Sequence, residues 1–62
     1  MKQLDKIIVG DKVILKSVGA RWNGKIAFVE HIDGEYHYVR PRWHRHQIEV
    51  YRTEFEKYEE RN

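Results

Sequence analysis

Two turn pairs, Asn23-Gly24 and Asp33-Gly34, stand on either side of the short apolar run Ile26-Ala27-Phe28-Val29, and they constrain this chain more than any other feature. Glycine reaches the positive φ angles of a tight turn at no steric cost, and an apolar run this short between two turns cannot make a stable helix. It reads as a strand. Upstream, Gly10-Asp11 opens onto Lys12-Val13-Ile14-Leu15-Lys16, a β-branched segment flanked by lysines, which predicts an earlier strand. The connecting loop runs through Ser17-Val18-Gly19-Ala20-Arg21 and Trp22, and exposed loops on small sheets are where recognition residues concentrate.

Downstream of Asp33-Gly34, Glu35-Tyr36-His37-Tyr38-Val39-Arg40 predicts a third strand in a hairpin with the second, Tyr36 and Tyr38 on one face and His37 and Val39 on the other. Pro41 has no amide hydrogen, so this strand should end there or lie at an edge. Arg42-Trp43-His44-Arg45-His46 lacks core periodicity and reads as a surface loop. Gln47-Ile48-Glu49-Val50-Tyr51 then predicts a fourth strand with Ile48 and Val50 inward. Near the C-terminus, Thr53 and Glu56 have capping-box spacing and Phe55 and Tyr58 have helical spacing. A helix there would be too short to stand alone, so the segment predicts one helical turn at Arg52–Glu54 and a closing strand around Phe55–Tyr58. The lead-in over 1–8 offers Ile7, Ile8 and Val9 to the core or to a sheet edge.

The fold class is therefore all-β, a small five-stranded barrel forming a single domain over 1–62. A chain of 62 residues buries only about 60% of its unfolded surface, and without cysteine it has neither a disulfide nor a cysteine-based zinc site. Association of copies is an expected remedy. Hydrophobic residues at 40% with aromatics at 13% exclude a disordered chain. No apolar stretch approaches the ~20 residues of a membrane span, and Met1–Lys6 lacks the apolar centre of a signal peptide, so no membrane and a cytoplasmic location are expected. Charge is unevenly spread: residues 1–48 hold nine Lys/Arg against five Asp/Glu, and residues 49–62 hold three against five, ending in an acidic tail at 59–62.

The basic half carries the one constellation with clear chemistry. Arg40, Arg42, Trp43 and Arg45, with Lys16, Arg21, Trp22 and Lys25 from the first loop, combine guanidinium forks that grip phosphates with indole faces that stack on unpaired bases. Nucleic acid is the partner this mixture suits. The same residues also read as the solvated surface of a small barrel with one tryptophan in its core, and Tyr36, Tyr38 and Trp43 as a patch for a protein partner. His44-x-His46, even joined by His37, falls short of the four ligands of a structural zinc site, so no metal is assigned. Ser17 has no histidine placed beside it, no glycine-rich phosphate loop is present, and Glu30, Glu49 and Glu54 form no recognisable acid–base pair.

Gly10-Asp11-Lys12-Val13, Lys16-Ser17, Gly19-Ala20 and Trp22-Asn23-Gly24-Lys25-Ile26 resemble the first half of the plasmid-encoded type II dihydrofolate reductases. Val39–Tyr51 resembles a second patch of that family, with Ile48-Glu49-Val50-Tyr51 on its Val-Gln-Ile-Tyr active-site motif and Phe55-Glu56 near its closing Leu-Glu. The resemblance implies an SH3-like barrel that assembles as a homotetramer around a pore holding folate and NADPH. Lys16 would be the cation at the pore mouth, and Val50 and Tyr51 would line it. Glu49 stands where the family has glutamine, and symmetry-related carboxylates in one pore would repel one another and the anionic ligands. The first patch also resembles KOW-type and other SH3-like modules, which recur among nucleic-acid-binding proteins. Because one fold hosts many activities, the leading expectation is a non-enzymatic SH3-like module that binds nucleic acid and needs no cofactor, with the NADPH-dependent reductase as its rival.

Overall fold

A computed structural model describes residues 6–58; part of the lead-in and the acidic tail lie outside them. The five strands are β1 (Lys12–Leu15), β2 (Ile26–Asp33), β3 (Tyr36–Pro41), β4 (Ile48–Tyr51) and β5 (Phe55–Lys57), with a one-turn 3-10 helix at Arg52–Glu54. They form one antiparallel sheet in the order β4-β3-β2-β1-β5. No helix among the described residues is long and apolar enough to cross a membrane.

The sheet curls without closing. Its edge strands β4 and β5 are joined by the 3-10 turn rather than by a ladder. Backbone bonds complete the curl: the Lys16 and Ser17 amides donate to the Glu54 carbonyl at 2.9 and 3.1 Å, and the Arg52 amide donates to the Glu35 carbonyl at 3.1 Å. The turn itself is held by Glu54, whose carboxylate accepts the Tyr51 amide at 2.8 Å. The Thr53–Glu56 pairing is not used, because Glu56 turns outward to Lys16.

Alternation decides what is inside. Val13 and Leu15 of β1, Ala27 and Val29 of β2, Val39 of β3, Val50 of β4 and Phe55 of β5 are fully buried, joined by Ile7 from the lead-in. Ile8 and Val9 remain exposed. Burial of about eight such side chains at roughly 1.5–3 kcal/mol each is a thin core even for a domain this small.

Two details of β2 and its turn were not readable from composition. The strand extends past Val29 to Asp33 because the register shifts between Val29 and His31, a bulge that lets both halves keep their apolar residues inward. In the β2–β3 hairpin Asp33 pairs with Tyr36, so Gly34 and Glu35 are the central residues, with Gly34 at φ 64°. Glycine at the first central position is what a type II′ turn needs. Pro41 lies beyond the β3–β4 pairing, which runs from Tyr36↔Tyr51 to Val39↔Ile48. Its missing amide therefore breaks no bond to β4.

Candidate functional site

The site is built where the start of β2 meets the end of β3. Ala27 pairs with Pro41, and the Arg42 amide donates to the Ile26 carbonyl at 2.8 Å. The β1–β2 loop and the β3–β4 loop are therefore neighbours at one end of the sheet.

The first loop is held by its own polar groups. Asn23 Oδ1 accepts the Val18 and Gly19 amides at 3.0 and 3.1 Å, while the Gly19 carbonyl accepts the Trp22 and Asn23 amides, both at 2.9 Å. Gly24 alone of the Asn-Gly pair takes positive φ, at 84°. Asparagine acts here as a side-chain clamp. In consequence Trp22 is fixed: half-buried, packed on the core, its ring edge-on to His44 at 4.8 Å, with the Arg21 guanidinium 5.1 Å from its centre.

The second loop does the opposite with its tryptophan. Trp43 is 91% exposed and adopts φ 71°, the sole non-glycine positive φ among the described residues. A non-glycine residue there costs on the order of 1–2 kcal/mol. The turn is closed by the His44 amide donating to the Pro41 carbonyl at 3.1 Å, and the Arg42 guanidinium lies 5.6 Å from the Trp43 ring centre. His44 bridges the two tryptophans, in contact with Trp22 and bonded in sequence to Trp43.

The expected cations divide into two groups. Arg21, Lys25, Arg42 and Arg45 make no ion pair among the described residues. Lys16 pairs with Glu56 at 3.2 Å, and Arg40 with Glu30 at 3.1 Å, Glu30 also accepting from Gln47 Nε2 at 2.7 Å. Both paired cations are about half exposed, which leaves their remaining donors in solvent. Sequence reasoning put Trp22 and Trp43 in equal roles. The structure separates them, a half-buried prop and an open ring, and the signal for this lies in Asn23, whose clamp on the first loop has no counterpart in the second.

The reductase-like set is arranged differently. Val50 is 1% exposed with its side chain in the core, a correction to the expectation that it faces a pore; Glu49 and Tyr51 point outward from the same strand. Glu49 accepts the Tyr38 hydroxyl at 3.0 Å, and the Tyr36 and Tyr51 hydroxyls lie 2.9 Å apart. Both Tyr36 and Tyr38 titrate above the ordinary tyrosine range: Tyr36 chiefly through its hydrogen bond to Tyr51, Tyr38 chiefly through its bond to Glu49. Among the described residues no three His, Asp or Glu side chains are grouped to hold a metal ion.

No protein-family description matches this chain, and no curated protein or solved structure matches it either.

Proposed function

We propose that this domain binds single-stranded nucleic acid at the loop end of its sheet. One observation carries the reading: Trp43 is 91% exposed on a strained loop, with the Arg42 guanidinium over its ring and, among the described residues, no carboxylate paired to Arg21, Lys25, Arg42 or Arg45. Strain retained at an exposed ring is a cost that folding alone does not explain, and exposed indoles flanked by cations suit base stacking beside phosphate neutralisation. Its cations suit phosphates and its exposed ring suits an unstacked base, so recognition follows the backbone and the stacked base more than the sequence.

The test is a salt titration of fluorescently labelled single- and double-stranded oligonucleotides. Affinity for single strands should fall with a log–log slope of about −0.7 per phosphate contact, and Trp43→Ala should weaken single strands more than duplex. Absence of binding to either at low salt would refute the reading.

A further inference from the structure

The outer face of the sheet carries apolar surface that the core does not use. Ile14 of β1 is paired with Ile26 of β2, and Phe28 is two residues further along β2; none of the three belongs to the core or packs against it. Ile14 and Ile26 are half-buried, and Phe28 is 37% exposed. Such outward positions normally hold polar residues on a solvated antiparallel sheet.

Register then places charges beside the ring. Lys12 is directly opposite Phe28 on one side and Arg40 directly opposite on the other, so one row across three strands reads Lys12, Phe28, Arg40. Directly paired residues have Cβ atoms roughly 4.5–5.5 Å apart, and the Lys12 ammonium lies 5.3 Å from the centre of the Tyr58 ring next to it. Arg40 contacts Glu30 through Nη2 and keeps other donors exposed. Ile26, two residues before Phe28, accepts the Arg42 amide at its carbonyl, so the face adjoins the loop that carries Trp43.

Resting on the function proposed above, we infer that Phe28 is a second stacking platform, so that one strand of nucleic acid passes from Trp43 along the outer face to Phe28 between Lys12 and Arg40. A second copy of the chain is the weaker occupant. A stable dimer buries about 800 Å² per partner, whereas the apolar surface around Phe28 is its own ring, the Tyr58 ring under Lys12 and two half-buried isoleucines, interrupted by the ion pairs Arg40–Glu30 and Lys16–Glu56. Around it Lys12, Lys16 and Arg40 outnumber Glu30 and Glu56, and this surplus of positive charge selects a polyanion with flat apolar groups.

The experiment compares the full chain with Phe28→Ala, Phe28→Leu and Phe28→Tyr, using oligothymidylates of about four and about ten nucleotides, a range that single small β-domains span. Since Phe28 lies outside the core, all variants should keep the parent's circular dichroism. Phe28→Ala and Phe28→Leu should lose about 5- to 150-fold in affinity for the longer oligomer and little for the shorter, while Phe28→Tyr retains the parent affinity. Binding by the parent with Phe28→Leu unchanged would overturn the platform and leave the Trp43 site standing. Failure of the parent to bind would overturn both. A fall in solution mass of free Phe28→Ala, with binding intact, would assign the face to a second copy.

Discussion

The two ends of the sheet use aromatic residues in opposite ways. At the β2–β3 hairpin end, Tyr36, Tyr38 and Tyr51 spend their hydroxyls on one another and on Glu49, and the buried His37 bonds through Nδ1 to the Glu35 carbonyl while its ring meets Phe55 edge-on at 5.1 Å. At the loop end Trp43 touches little but Arg42, and the cations around it lack carboxylate partners among the described residues. One end is internally satisfied, and its Asp33, Glu35 and Glu49 repel polyanions; the other is left open and basic. Aromatic content alone therefore does not mark a binding surface. What marks it is a ring whose neighbours have not been used up.

The largest way to break this contrast is through Phe55, which is 1% exposed and stacks against His37 and, at 5.0 Å, the Arg52 guanidinium. Phe→Ala in a core costs about 3–5 kcal/mol, and a domain of this length holds roughly 3–9 kcal/mol in total. Phe55→Ala should abolish or halve cooperative urea unfolding followed by circular dichroism. A shift of the midpoint worth less than about 1 kcal/mol would mean that the packing of Phe55 on the buried His37 is not part of what holds the sheet together.

At the other end the expected effects on stability and binding have opposite signs. Trp43→Gly relieves a positive φ that costs about 1–2 kcal/mol and exposes no core, so thermal stability should hold or rise by up to about 1 kcal/mol once the added freedom of the unfolded glycine is deducted. The same substitution should weaken single-strand binding by about 1–3 kcal/mol. Loss of stability together with binding would show that the indole is a packing residue, and the two ends would no longer differ in kind.

How far this contrast can be read from the sequence follows from the range of the forces involved. All five strands and the 3-10 turn at Arg52–Glu54 follow from local signals, because glycine turns, alternation and proline act over a few residues. The open sheet does not, since closure depends on whether β4 and β5 reach each other after the turn, a long-range matter of twist. Nor does the bulge near Glu30, which carried β2 four residues beyond the apolar run. At the site, every cation was identifiable, but the pairing of Arg40 with Glu30 and of Lys16 with Glu56 required register. Trp43's backbone strain had no signature at all, since nothing about tryptophan favours positive φ.

A smaller and more specific change tests whether a paired cation can be recruited to the open end. Glu30 holds Arg40 at 3.1 Å and Gln47 at 2.7 Å on a half-exposed surface. An exposed pair of this kind stabilises the fold by about 0–1 kcal/mol, so Glu30→Gln should leave the melting temperature nearly unchanged. It removes one negative charge next to Arg40 and should tighten single-strand binding a few-fold at low salt, with a steeper salt slope by up to about 0.7. Unchanged affinity and slope would confine the interface to the loops.

The smallest effect is also the most selective, and it belongs to the satisfied end. Tyr38 titrates high mainly because its hydroxyl donates to Glu49, and Tyr36 mainly because of Tyr51, with Glu49 a lesser influence. In both cases the folded state prefers the neutral hydroxyl. This contribution to stability is fully present below the ordinary tyrosine range and is lost as pH rises through the elevated folded values. Glu49→Ala should therefore bring Tyr38 down toward the ordinary value, move Tyr36 much less, and reduce the alkaline loss of stability, all readable from tyrosine ring shifts in an NMR pH titration. Equal movement of the two tyrosines would mean that the outer face behaves as one charge cluster rather than as two separate hydrogen-bonded pairs. Oligonucleotide affinity measured on the same variant at neutral pH should rise only slightly, because Glu49 lies on β4 outside the loops that carry Trp22 and Trp43, with its carboxylate on the Tyr38 hydroxyl.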